Sequence, residues 1–126
     1  MNDILYWIWL SFKCAPGSDL GDTLLEAFNK SAKEVYEANR CDYENIESLK
    51  PGIIEELCDK DMSEAEDLYE YCTENNVGIL AYNDELYPDR LRRISRAPLL
   101  LYYRGNMQNL NNCVCIAAVG TRRMTE

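Results

Sequence analysis

Gly120, Thr121 and Arg122, with Arg123 beside them, are of the types that bind an anion. A glycine corner leaves backbone N–H groups open, and a Thr hydroxyl can donate beside them. An Arg fork adds charge and two parallel hydrogen bonds to a phosphate. The corner follows a continuous apolar run, Cys113-Val114-Cys115-Ile116-Ala117-Ala118-Val119. A run without alternation predicts a strand covered on both faces, as in a parallel α/β sheet. Such a strand entering a glycine corner matches the first βα turn of a dinucleotide-fold sheet. The corner is not GxGxxG, so a nicotinamide site is not supported. The plain alternative is a frayed terminus after an edge strand.

Other chemistries find few residues to carry them. The chain has no His, which removes the usual general base and the Ser-His and Cys-His nucleophile pairs. Its six Cys, at 14, 41, 58, 72, 113 and 115, include no CxxC pair. Structural zinc favours pairs at that spacing, so buried reduced thiols are expected, with no metal and no cofactor. The apolar stretch 4–12 ends at Lys13, far short of the ~20 residues of a membrane span. It also lacks a basic leader and a small-residue cleavage site, so no signal peptide is read. No membrane association and a cytoplasmic location are expected.

The 126 residues suffice for one ordinary domain or two small units. Their net charge of −9 hides an asymmetry. Residues 1–75 hold 18 acidic and 6 basic side chains, whereas residues 76–126 hold 4 acidic and 7 basic, all Arg. Nucleic acid is therefore admissible for the second part only. Charge alone reads Arg90, Arg92, Arg93 and Arg96 as an ordinary solvated face.

The elements that must position the corner follow from caps and periodicity. Asp3 is read as the cap of a first helix ending near Lys13. Trp7 and Trp9 lie two apart and cannot share one helix face, so one of them is expected at a partner or interdomain surface. Ala15-Pro16-Gly17-Ser18 breaks the chain, and Ser18 or Asp19 starts a second helix to Phe28. The turn has the look of a helix-hairpin-helix, without the basic residues that would let it hold DNA. Ser31 and Glu34 match a capping box, as do Ser63 and Glu66. A short turn over 43–49 follows Asp42, and Pro51 opens a helix with Ile53, Ile54 and Leu57 inward. Leu68, Tyr71 and Cys72 should form the apolar stripe of the last helix. After residue 75 the period changes. Residues 77–81 and 99–103 read as strands, with Asp89 capping a short helix over 90–94.

The order of these motifs resembles the DNA-processing protein A (DprA/Smf) family. Tyr87-Pro88 with Leu91 and Ile94 comes first, then Pro98-Leu99-Leu100-Leu101-Tyr102 with Arg104-Gly105. Val119-Gly120-Thr121-Arg122 with Thr125 completes the pattern, which spans 87–125. The resemblance implies two parts, a helical sterile-alpha-motif-like bundle over 1–76 and the start of a Rossmann-like α/β domain over 77–126. It implies a protein of natural transformation that binds single-stranded DNA, protects incoming strands and helps load the RecA recombinase, without enzymatic activity. Gly120, Thr121 and Arg122 would contact DNA phosphates. Arg123 would be an auxiliary contact at a variable position of the motif. The family's domain continues well beyond this turn, so the chain is expected to be a fragment. The RecA surface and a homodimer surface would belong to the absent part. The helical part should then fold alone and the remainder be marginal.

Two other classes compete with this. A nucleotide-handling Rossmann enzyme, such as a phosphoribohydrolase, would need a Gly-rich phosphate loop and a catalytic acid, and neither is seen. A helical interaction module would use the acidic faces to bind a basic partner.

Overall fold

Six helices come first in the chain, and the computed structural model describes residues 2–15, 18–106 and 111. They are α1 (Asp3–Lys13), α2 (Leu20–Ala27), α3 (Ala32–Glu37), α4 (Arg40–Glu44), α5 (Pro51–Cys58) and α6 (Ser63–Glu74). Strand β1 (Gly78–Ala81), helix α7 (Asp89–Arg92) and strand β2 (Leu100–Tyr103) follow. Among the described residues the fold is therefore mainly helical with a small sheet.

Helix α1 is the centre of the packing. Tyr6, Trp7, Ile8, Trp9 and Leu10 are all buried, which makes the helix apolar all round and requires cover on every side. That cover comes from α3, α6 and both strands. Of the two indoles expected to differ, neither faces solvent, Trp7 and Trp9 being 2% and 1% exposed, and Trp7 is the one that packs on a ring beyond residue 76. Trp7 stacks on Tyr82 with ring centroids 6.2 Å apart. Trp9 meets Tyr36 of α3 edge-on at 5.1 Å. A helix walled on opposite sides hides both.

The caps explain most of the boundaries. Asn2, not Asp3, caps α1, its side chain accepting from the Ile4 N–H at 3.2 Å. Asp3 becomes the first helical residue, where a carboxylate suits the helix dipole. Ser31 caps α3 through the Glu34 N–H, while the Glu34 carboxylate accepts from the Asn29 amide at 3.0 Å. Helix α4 begins ahead of the turn expected over 43–49, because Asn39 and Asp42 cap it reciprocally with two 3.0 Å bonds. Pro51 opens α5 as expected, with Ile54 and Leu57 buried.

Ser63 does not cap α6. It is the first residue of that helix, behind Met62. The Asp61 carboxylate accepts from both its hydroxyl and its N–H, and those bonds hold the Asp61 carboxyl below its ordinary range. The expected stripe is corrected in one member. Ala65 and Cys72 are buried and Leu68 half-buried, but Tyr71 is 56% exposed.

The strands pair antiparallel, Gly78 opposite Tyr103 and Ala81 opposite Leu100. A Cβ at Gly78 would stand 2.1 Å from the Tyr103 ring, so the ring lies directly over the glycine. Leu100 and Ala81 join the core built around α1. The strand expected over 113–119, the Pro16-Gly17 turn, Cys113 and Cys115 lie outside the described residues. No described helix is long and apolar enough to cross a membrane.

Cys14 and Cys72 are buried, Cys58 is half-buried, and all are free. Cys41 departs from the expectation of burial, because the short α4 turns only Tyr43 inward. Burial pushes the Cys14 thiol up from 9.0 to about 12. The folded thiol keeps its proton where the unfolded one loses it. Its contribution to stability is thus complete below pH 9.0 and is lost as the pH climbs toward about 12. Denaturation midpoints should fall above pH 9.0, and Cys14→Ala should flatten the fall. An unchanged slope in the variant would count against this assignment.

Candidate nucleic-acid interface

The Tyr87-Pro88 turn is built around a half-buried arginine. Arg92 of α7 donates from Nε to the Tyr82 carbonyl at 3.1 Å and from Nη2 to the Asp84 carbonyl at 2.8 Å. Its Nη1 pairs with Asp89 at 2.5 Å. The guanidinium carbon lies 5.6 Å from the Tyr82 ring centroid and 5.2 Å from that of Tyr87. These two rings in turn lie 5.4 Å apart. Cation–π attraction and a fork of donors together fix the loop that joins β1 to α7.

Tyr87 is fully buried and donates its hydroxyl to the Pro98 carbonyl at 2.7 Å. Burial holds that phenol up at about 12, so it stays a donor across the physiological range. The bond ties the Tyr-Pro turn to the residues leading into β2. Asn111 closes the arrangement. Its side-chain oxygen accepts from the Asp89 N–H at 2.6 Å, and its amide reaches the Glu85 and Tyr87 carbonyls at 3.4 Å. The Asp89 N–H is thereby used, and Asp89 is the first residue of α7 behind Pro88 instead of its cap.

The four arginines do not form one solvated face. Arg92 is drawn into the fold. Arg96, at a positive φ of 60°, donates its N–H to Asp22 at 2.9 Å and its Nε to Asp19 at 2.7 Å. It therefore clasps the start of α2, whose acidic side chains offset its charge. Arg90, Arg93 and Arg104 lie at the surface. Gly120, Thr121, Arg122 and Arg123 lie outside the described residues.

What the described residues provide is the strand pair and Tyr-Pro turn that precede that corner in the chain. Sequence reasoning singled out Tyr87-Pro88 but missed Tyr82, Arg92 and Asn111 as its supports. The even spacing of Tyr82, Tyr87 and Arg92, five apart, was the available signal. It fits neither a helical nor a strand period, so patterning passes over it.

No curated protein and no solved structure matches the chain. The model of the family described as DNA recombination-mediator protein A matches residues 78–126. The match takes in β1, the Tyr-Pro turn with its arginine, β2 and the glycine corner. Over residues 78–126, then, this chain is similar to the DNA recombination-mediator protein A family.

Proposed function

We propose that this chain binds the sugar-phosphate backbone of single-stranded DNA through Gly120, Thr121 and Arg122, as part of DNA recombination in natural transformation. Arg123 adds an auxiliary contact. The observation that carries this is the family match, which runs through the corner itself. Turn amides, a hydroxyl and one guanidinium read phosphate and not base edges, so binding is independent of sequence. The reading needs no catalytic step, cofactor or metal.

The same proposal divides the chain at residue 76 into a sterile-alpha-motif-like helical part and the start of a Rossmann-like part. It makes the RecA recombinase a partner and includes a homodimer of the complete protein, acting in the cytoplasm. The acidic excess of residues 1–75 keeps that part off the DNA path.

Arg122→Ala in the complete protein should weaken binding to single-stranded oligonucleotides. The slope of log affinity against log salt should fall by about 1, as expected for one lost phosphate contact. Fluorescence anisotropy at several salt concentrations reads both. Unchanged affinity and slope would remove the corner from the interface.

A further inference from the structure

A cavity of about 240 Å³ opens between the end of α1, the start of α2 and the residues leading into β2. Cys14, Leu99, Leu100 and Tyr102 give it apolar walls. Gly21 brings α2 close to them, since a Cβ there would stand 3.4 Å from the Leu99 side chain. Cavities that hold drug-sized ligands run from about 300 to 1,000 Å³, so this one suits a single ring with a short tail. Asp22, Arg96 and Tyr102 line it too and are exposed, which places them at the mouth.

Polar groups at its two ends separate this cavity from a mere packing gap. Ser18 lines it with a buried hydroxyl oxygen that has no hydrogen-bond partner among the described residues. Folded proteins pair nearly all such groups, so a polar atom of a guest belongs there. At the mouth, Asp22 accepts the Arg96 N–H through one carboxylate oxygen, at 2.9 Å, and has a second to offer. The Arg96 guanidinium is turned to Asp19, donating from Nε at 2.7 Å and from Nη2 at 3.4 Å. Two carboxylates against one guanidinium leave the mouth net negative, which favours a cation over an anion.

We propose that this cavity binds a small arylalkylamine that carries a hydroxyl on its ring. The ring lies against Leu99, Leu100 and Tyr102, its hydroxyl meets Ser18 Oγ, and its ammonium donates to Asp22. Apolar walls supply the affinity, and the two polar ends fix the orientation and the class of ligand. None of these residues belongs to the glycine corner, so the site stands apart from the proposed DNA contact.

The test titrates tyramine, phenethylamine and para-hydroxyphenylacetate into the isotope-labelled whole chain and follows its backbone amide resonances. Tyramine should shift the Ser18, Gly21, Asp22 and Leu99 amides with a Kd of about 1 mM, the scale for so small a ligand. Phenethylamine lacks the hydroxyl and should bind about fivefold more weakly. The acetate, with a carboxylate in place of the amine, should lose about tenfold or more. Ser18→Ala should abolish the preference for tyramine over phenethylamine. Asp22→Asn keeps an oxygen for the Arg96 N–H and should weaken both amines about fivefold. The ranking of the three probes on the parent chain depends on no variant. Absence of shifts at about 10 mM tyramine, equal binding of the three probes, or a tyramine preference that survives Ser18→Ala would overturn the assignment.

Discussion

Trp9→Ala is expected to lower stability by about 3–5 kcal/mol, the range for removing a buried large aromatic side chain. The indole is 1% exposed and lies against Tyr36, so truncation leaves a void beside α3. It also leaves the Asp59 carbonyl without its donor and removes the ring over which Lys60 Nζ lies at 5.0 Å. A small domain holds only about 5–15 kcal/mol in total, so the variant should lose a large share of its stability and melt well below the parent. Trp7→Ala should cost a comparable amount from the opposite face, through loss of the Tyr82 stack. Far-UV circular dichroism melts of both variants decide the matter. Either variant melting with the parent would mean that its indole does not support the core.

Arg92→Ala is expected to cost about 2–3 kcal/mol, the scale for hydrogen bonds from a charged donor whose loss orphans carbonyl groups. Tyr82 and Asp84 would lose their donor, Asp89 its ion partner, and two aromatic rings their cation. Arg92→Lys should recover less than half of this. A single ammonium cannot address two carbonyls and a carboxylate while lying over two rings. Arg93→Ala is the control, an exposed change expected to stay within about 0.5 kcal/mol. The contrast bears on the proposed DNA site. If Arg92 were a phosphate contact, Arg92→Ala would weaken oligonucleotide binding and leave the melting curve in place. An unaltered melting curve would refute the structural role derived above.

Local signals in the sequence were enough for most of the elements. Pro51, Ser31 and the apolar runs after residue 75 placed α5, α3 and both strands, because caps and periodicity act over a few residues. Displaced boundaries came from competition among neighbouring side chains. Asn2 took the cap from Asp3, Asp61 engaged Ser63, and Asn39 with Asp42 started α4 early. The burial of both indoles was not legible, since it depends on which elements flank α1 and not on α1 itself. The Arg92 knot and the placement of Lys60 Nζ over the Trp9, Tyr36 and Tyr43 rings were hidden for a related reason. Each joins residues from different elements, and no local period records that. The glycine corner was read from residue types and order, and the family match runs through the same residues.

The two-sided cover of α1 has a consequence for cooperativity. Trp7 rests on the ring that follows β1, and Trp9 rests on α3, yet both belong to one helix three turns long. Loosening either flank wets an indole and weakens the shared post against which the other flank leans. The acidic segment and the arginine-bearing segment thus differ in charge and composition but draw on a common keystone. The change of composition at residue 76 is thus one across which Trp7 and Tyr82 stay in contact.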